Sequence, residues 1–173
     1  MRSIAVDGST VYVGGTFTNA GGAARTNIAA IDAATGLATS WNPGANGTVN
    51  AMVTGNGVLY VGGAFSAVNG STNRSRLAAF DLSTGTVTSW NPNIGGTTVT
   101  ALDVDGSTVY VGGSFSLVNG GNAARSSAAA FSTATGVATS WNPAPNGDVL
   151  AIDATSTAVY LGGTFTTIRS GSV

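Results

Sequence analysis

The chain contains no cysteine, histidine, lysine, glutamate or glutamine, and its charges come only from 6 arginines and 7 aspartates. Without cysteine there is no disulfide and no thiol nucleophile, and without histidine there is no imidazole base that works near neutral pH. The same two absences exclude zinc sites of the usual kind. Most enzyme classes depend on these residues, so we expect a protein that is not an enzyme and that needs no metal or cofactor.

Charge and long apolar runs are also scarce. Charged residues make up 8% of the 173 residues and the formal net charge is -1, so no basic surface is available to neutralise the phosphates of a nucleic acid. No uninterrupted apolar run reaches the roughly 18 residues of a membrane-spanning helix, and the first ten residues contain no apolar segment of a secretion signal. We therefore expect no nucleic-acid binding and no membrane insertion. The hydrophobic fraction of 43% is nevertheless enough to fill a core.

Repetition is what the sequence has in abundance. A segment of the pattern V/L-Y-V/L-G-G-x-F occurs four times, and its tyrosines are 48, 50 and 50 residues apart. A second marker, S-W-N-P, occurs three times, and its tryptophans are 49 and 51 residues apart. The repeated aromatic residues are Tyr12, Tyr60, Tyr110 and Tyr160, then Trp41, Trp90 and Trp141. Two independent markers thus give one period of about fifty residues.

Each period predicts four strands. In the second repeat, apolar residues alternate over short runs at residues 49–54, 58–66, 77–82 and 86–90, and glycine-rich or T-G turns separate the runs. Four antiparallel strands in about fifty residues, repeated along the chain, are typical of the blade of a β-propeller. The predicted fold class is therefore all-β: β-propeller repeats of four-stranded antiparallel blades, with about three and a half blades present.

The alignment places the blades at residues 1–48, 49–98 and 99–148, with a half-blade at residues 149–173. An open arc of this kind leaves an apolar blade face at each end, because every blade buries two faces against its neighbours. We therefore expect that the chain is not a stable free monomer. Its partners would be other protein chains or the remainder of a longer polypeptide.

The repeat resembles known propeller repeats. It resembles the delta-60-type repeat of large bacterial surface and secreted proteins. The shared features are the G-G-x-F segment, the downstream arginine, the strand that ends in an apolar residue and Asp, the T-G turn and W-N-P. It is also similar to the Kelch repeat, although Asp32 lies nine residues before Trp41, which is farther than a compact Kelch turn allows. The delta-60 resemblance implies an extracellular or cell-surface protein with a scaffold or adhesion role.

Most of the repeated residues are expected to serve packing. A residue that recurs once per structural unit does the same work in each unit, so the tryptophans are predicted to lie in equivalent places between blades. The glycine pairs, such as Gly62-Gly63, lack the following helix and the lysine of a phosphate loop. We interpret them as points where blades approach closely or where the second strand carries a bulge.

Arginines and asparagines that recur once per period are the candidate ligand-binding residues. The arginines precede the third strand, and we expect them on the same face as the asparagines of the Asn-Pro connections. Each guanidinium could tie loop carbonyls or a neighbouring aspartate together, or it could bind an anionic glycan or a partner's carboxylates. The candidates are Arg25, Arg74, Arg125, Asn42, Asn91 and Asn142.

The aspartates suggest mainly structural roles. Asp32 and Asp81 precede T-G turns and are predicted to stabilise them, with Ser132 in their place in the third repeat. Asp103 and Asp105 resemble the start of a calcium loop that lacks its bidentate acid. The rival function is a glycan-binding or carbohydrate-active propeller that uses aspartates. Its candidates are Asp7, Asp103, Asp105 and Asp153, at the hairpin between the first and second strands of a repeat.

Overall fold

The computed structural model describes residues 1–169, and their regular structure is almost entirely antiparallel β. Within these residues the only helical piece is a single 3-10 turn at Asn119–Gly121, and no helix is long and apolar enough to cross a membrane. The strands are β1 (Ser3–Asp7), β2 (Thr10–Gly14), β3 (Asn19–Ala20), β4 (Ala23–Ala24), β5 (Ile28–Asp32), β6 (Val49–Gly55), β7 (Val58–Gly63), β8 (Ala67–Val68), β9 (Thr72–Asn73), β10 (Leu77–Asp81), β11 (Gly95–Asp105), β12 (Thr108–Val118), β13 (Ala123–Ala124), β14 (Ala128–Ser132), β15 (Val149–Ala154) and β16 (Val159–Gly163).

Each repeat builds one sheet, which we call a blade. The first three blades have the strand orders β1-β2-β5, β6-β7-β10 and β11-β12-β14, and the half-blade is the hairpin β15-β16. The strand that carries the repeated tyrosine lies in the middle of each complete blade. Tyr12, for example, lies opposite Ala5 on one side and Ala30 on the other. The prediction of an all-β chain of antiparallel blades is confirmed.

The fourth strand of each blade is much shorter than the sequence suggests. In the second blade the predicted strand at residues 86–90 is one bridge between Phe80 and Val87, followed by a hydrogen bond from Thr88 N to Ala79 O. Single bridges of the same kind occur in the other two blades. The chain leaves its own sheet here because Trp90 turns into the contact with the next blade, where its indole N–H binds Ser132 O at 2.8 Å.

The hydrophobic core lies between blades, in contacts that we call seams. Strand alternation gives every blade two apolar faces, one with the tyrosine and small alanines and one with larger aliphatic residues. The tyrosine face of one blade packs against the aliphatic face of the next. In the first seam the buried residues include Tyr12, Ala30, Leu59, Val61 and Phe80. In the second seam they include Tyr60, Ala79, Val109, Val111 and Phe131.

Glycine is required where a valine of the next blade reaches across the seam. A Cβ built at Gly14 would lie 2.5 Å from Val49 Cγ1, and one built at Gly112 would lie 2.5 Å from Val149 Cγ1. These distances are far shorter than van der Waals contact. The interpretation of the glycine pairs as points of close approach is therefore confirmed.

The bulge that accompanies the glycine pair lies in the first strand, whereas the sequence interpretation placed it in the second. Val49 pairs with Gly63 and Ala51 pairs with Gly62, so Asn50 is the extra residue. Its side chain crosses the seam and donates to Thr98 Oγ1 at 2.8 Å and to Val99 O at 3.1 Å. The bulge thus frees a side chain to bind the neighbouring blade, which an extra residue in the middle strand would not allow without breaking pairing on both sides.

The open end of the arc supplies a matched test of this glycine contact. Gly162 occupies the same repeat position as Gly14, but the nearest atom to a Cβ built there is Ala151 Cβ at 3.7 Å. Gly14→Ala should lower the free energy of unfolding by about 1 to 3 kcal/mol, because the methyl group would overpack the seam. Gly162→Ala should leave it nearly unchanged. Urea unfolding of the two variants measures the difference, and equal losses would refute the steric explanation.

Candidate functional site

The three repeated arginines are held inside their own blades. In the third blade, Arg125 donates from Nη1 to Ala124 O at 2.8 Å and from Nη2 to Thr139 O at 2.7 Å. Arg25 and Arg74 make the same two bonds, to the preceding carbonyl and to Thr39 O and Thr88 O respectively. Each guanidinium therefore joins the loop before the third strand to the segment that replaces the fourth strand.

Burial of these guanidiniums is partial and carries a cost. The Nε atoms of Arg25, Arg74 and Arg125 are buried and have no hydrogen-bond partner within residues 1–169. Burial also lowers the pKa of the Arg74 guanidinium, because a desolvated cation is less stable. Of the two roles left open by the sequence, this geometry favours the tying of loop carbonyls. A role in ligand binding stays a prediction for these residues.

The asparagines of the Asn-Pro connections lie in differing surroundings. Asn42 and Asn91 are exposed, whereas Asn142 is half-buried and its Oδ1 has no partner in the described part of the chain. Asn42 lines a polar surface cavity of about 380 Å³ between the first and second blades, together with Thr26 and Ala67. Arg25 is not among the residues that line this cavity. This cavity therefore includes the asparagine without the arginine.

Asp32 and Asp81 stabilise turns, as the sequence predicts. Asp81 Oδ1 accepts from Ser83 Oγ at 2.6 Å and from the backbone N–H of Ser83 and Thr84 at 3.0 and 2.8 Å. These hydrogen bonds, that from the Ser83 hydroxyl first, lower the pKa of Asp81, because they favour the charged carboxylate. Bonds from Thr35 do the same for the pKa of Asp32. Both carboxylates are thus engaged in local structure.

Asp103 joins the third blade to the half-blade. Its Oδ1 accepts from Val104 N at 2.8 Å, and its Oδ2 accepts from Ala154 N at 2.6 Å. Both oxygens are therefore bound to backbone amides. No group of three or more His, Cys, Asp or Glu side chains within residues 1–169 is placed to hold a metal ion. The candidate catalytic aspartate at this hairpin thus has a structural task in the seam.

A groove beside Trp41 is a feature that sequence reasoning missed. It has a volume of about 410 Å³ and lies at the first seam, where Tyr12, Thr39, Trp41, Asp81 and Thr84 contribute to its lining. A smaller cavity of about 130 Å³ lies at the corresponding place beside Trp90. The recurring T-S-W and D-x-x-T-G patterns were the available signal, since they bring hydroxyls and an indole to both seams and a carboxylate to the first. Such a lining can bind a small polar ligand.

Trp41 and Trp90 occupy equivalent places between blades, as predicted, whereas the aromatic contact of Trp141 in the described residues is with Tyr110 of its own blade. Trp41 packs edge to face with Tyr12 of its own blade and Phe80 of the next, at ring-centroid distances of 5.4 and 5.3 Å. Its indole N–H donates to Gly85 O at 2.8 Å. Trp90 makes the corresponding contacts with Tyr60 and Phe131.

Comparisons with known proteins give structural matches alone. No family model and no curated protein sequence matches the chain. The computationally designed Ika4 protein matches with a TM-score of 0.66 at 16% identity, over 97% of this chain and 88% of that one. The computationally designed Ika8 protein matches with a TM-score of 0.67 at 15% identity, over 96% of this chain and 44% of that one. The Neurospora crassa Pan2 WD40 domain matches with a TM-score of 0.54 at 14% identity, over 92% of this chain and 59% of that one.

These similarities establish the fold. The chain has the propeller-like architecture of a WD40 domain and of designed proteins, with antiparallel blades that follow one another around an arc. Because the sequence identities are only 14 to 16%, the similarity extends to the fold and not to function. The chain spans less than half of the Ika8 chain and 59% of the Pan2 domain. The delta-60 and Kelch resemblances stay interpretations of the sequence.

The arginine ties can be tested by substitution in the second blade. Arg74→Ala should lower the free energy of unfolding by about 1 to 3 kcal/mol, because it removes two charge-assisted hydrogen bonds and leaves Thr88 O unpaired. Arg74→Lys should recover only part of the loss, since one ammonium cannot reproduce the fixed fork of donors. Arg2→Ala, at an exposed position, is the control. Unchanged stability in Arg74→Ala would contradict the structural role.

The turn carboxylates predict an acid dependence of stability. Because the folded pKa of Asp32 and Asp81 lies below the usual 3.8, their stabilisation is present above that value and is lost as pH falls through the folded pKa. The double variant Asp32→Ser/Asp81→Ser copies Ser132 of the third blade. Its free energy of unfolding should fall less than that of the wild type as the pH is lowered below 4. Urea unfolding between about pH 2 and 6 measures it. Ser9→Ala, at an exposed position without a titratable side chain, should keep the wild-type profile.

Proposed function

We propose that the chain is a non-catalytic protein-interaction scaffold whose two apolar ends bind other protein chains or the remainder of a longer polypeptide. The observation that carries this proposal is the exposure of apolar residues at both ends. At the leading end, the outer face of the first blade, Ile4 and Val6 are 51% and 56% exposed. At the trailing end, the outer face of the half-blade, Leu150 and Tyr160 are 54% and 61% exposed.

The interior of the arc shows what these positions do when they are covered. Met52 occupies the repeat position of Ile4 and is 8% exposed, and Tyr60 occupies that of Tyr160 and is 1% exposed. The neighbouring blade makes the difference in both cases. Apolar faces of this kind mark interaction surfaces in soluble proteins, because leaving them in water is unfavourable. A scaffold that continues its seams into a partner fits this pattern.

The absence of catalysis and the extracellular location are parts of the same proposal. Asp103, one of the candidate catalytic aspartates, and Asp81 already accept hydrogen bonds from the seam and from a turn. A surface location and an adhesion role are supported by the resemblance of the repeats to delta-60-type repeats.

A second candidate function is glycan binding in the groove beside Trp41. An indole, hydroxyls and the Asp81 carboxylate are groups that contact sugars, and the groove recurs in smaller form at the second seam. Hydrolysis would need a second carboxylate, and Asp81 is the only acidic residue among those that line the groove. Binding to an array of glycans that is lost in Trp41→Ala would favour this candidate over the scaffold.

Light scattering of the purified chain over a range of concentrations tests the scaffold proposal. We expect assemblies heavier than the 16.9 kDa monomer, because the apolar ends associate when no other partner is present. Ile4→Ser/Val6→Ser should shift the distribution towards monomer by weakening the leading end. The matched control Ser9→Ala/Thr16→Ala, at exposed polar positions, should not shift it. A monomer at every concentration, with a cooperative melt, would contradict the proposal.

A further inference from the structure

The groove beside Trp41 is more polar than the cavity beside Trp90, although both lie at interior seams and are built from equivalent repeat positions. Three positions of the first groove carry a hydroxyl or a carboxylate that the second seam lacks, and only Leu82, replaced by Thr133, changes in the other direction. Since the second seam packs without these groups, the fold does not require them. The three pairs of positions are Thr10 and Val58, Asp81 and Ser132, and Ser83 and Ala134.

Several polar groups of this groove are available to a ligand. All four hydrogen bonds that Asp81 accepts, from Ser83 and Thr84, end on its Oδ1. Within residues 1–169 its Oδ2 has no hydrogen-bond partner. The hydroxyls of Thr10 and Ser40, which also line the groove, make no hydrogen bond in the described part of the chain. The groove therefore offers one carboxylate oxygen and two hydroxyls.

The Trp41 ring adds an apolar surface. Trp41 is half-buried, whereas Trp90 is only 6% exposed. The Trp41 N–H is already bound to Gly85 O, so the indole can meet a ligand through its ring alone. The volume of about 410 Å³ lies within the usual range of small-molecule sites, about 300 to 1,000 Å³, and the 130 Å³ beside Trp90 lies below it.

The charges around the groove are negative. Asp81 is the only charged residue among those that line it. The guanidinium of Arg25 binds Thr39 O but does not line the groove. Burial and, second to it, the charge of Asp7 raise the pKa of the Tyr12 hydroxyl, so a second carboxylate acts on this groove. Such a site attracts a cationic ligand and repels an anionic one.

We propose that the groove beside Trp41 binds a glycan that carries free amino groups, such as an oligomer of glucosamine. An ammonium group can donate to Asp81 Oδ2 and lie against the Trp41 ring, and both partners favour a cation. The hydroxyls of the sugar can exchange hydrogen bonds with those of Thr10 and Ser40. The inference rests on the second candidate function, glycan binding, and deepens it by naming the charge class of the glycan.

A lysine side chain of a partner protein fits the groove less well. It offers one ammonium on an apolar stem, so it could use Asp81 but would leave the hydroxyls of Thr10 and Ser40 without partners. An N-acetylated sugar has the opposite defect, because it keeps its hydroxyls but lacks the positive charge. The amino sugar is the ligand class that uses the carboxylate, the ring and the hydroxyls together.

Two trisaccharides that differ only in N-acetylation test the proposal. They are titrated by calorimetry into the full chain at about pH 6, where the sugar amines are protonated and Asp81 is ionised. At low ionic strength the glucosamine trimer should bind about fivefold more tightly than the N-acetylglucosamine trimer, because only the former carries ammonium groups. Salt at about 0.5 M should remove most of this preference, since charges at an open groove are screened.

Variants locate the preference within the groove. Asp81→Asn keeps an oxygen that can accept the turn hydrogen bonds but removes the charge, so it should lower the affinity for the glucosamine trimer to that for the acetylated trimer. Asp32→Asn makes the same change in the equivalent turn of the first blade, away from the groove, and should alter neither affinity. Thr10→Val/Ser83→Ala copies the second seam and should weaken the binding of both trimers. Urea unfolding verifies that each variant is folded.

The possible results separate this inference from the functions proposed above. Equal affinity for the two trimers, or a preference that survives in Asp81→Asn, would overturn the inference and leave glycan binding in place. A trilysine peptide that binds as tightly as the glucosamine trimer would also overturn it, because lysine would then be the ligand. Failure of both trimers to bind at up to about 10 mM would defeat glycan binding together with the inference. Light scattering tests the scaffold separately.

Discussion

The indole of one blade binding to the next blade is the interaction on which the rest of the structure depends. Trp41 fills the first seam with its ring, contacts aromatic residues on both sides and donates its N–H to a turn 44 residues further on. A buried indole needs an acceptor, since an unpaired N–H in an apolar seam is costly. The turn that supplies the carbonyl must therefore keep its shape, and Asp81 fixes that shape by binding Ser83 and Thr84.

The spacing of the seams constrains the side chains that face them. Val49 approaches Gly14 so closely that no Cβ could be accommodated, and Ala78 and Ala79 are fully buried in the third strand of their blade. Small residues on one face and branched residues on the other allow the sheets to interlock at a close distance. This accounts for a chain rich in glycine and alanine that still has a packed core. Stability in such an arrangement comes largely from contacts between neighbouring repeats.

Several of the charged side chains are already bound to backbone groups of the chain itself. Arg125 ties two segments of its own blade, and Asp103 ties the third blade to the half-blade. Side chains that could have bound a ligand or taken part in catalysis are thereby used to hold backbone groups. The ends of the arc, in contrast, expose apolar residues of the kind that the interior seams bury. Function is therefore proposed at the two ends, where these apolar faces are exposed.

The sequence by itself determined the repeat, the antiparallel strands, the aspartate turns and the close approach at the glycines. These features are set by local spacing or by the same residue recurring in each blade, so one chain carries several copies of the evidence. The tertiary structure decided the features that depend on a partner far along the chain. It placed the bulge at Asn50 because that side chain reaches Thr98, and it shortened the fourth strand because Trp90 leaves to reach Ser132. It also directed the candidate arginines to carbonyls 14 residues away, and it placed the Asp103 carboxylate where it accepts from the backbone N–H of Ala154, 51 residues away. No pattern in the sequence specifies which of many backbone groups such a side chain will meet, because that choice is made only when the blades pack together.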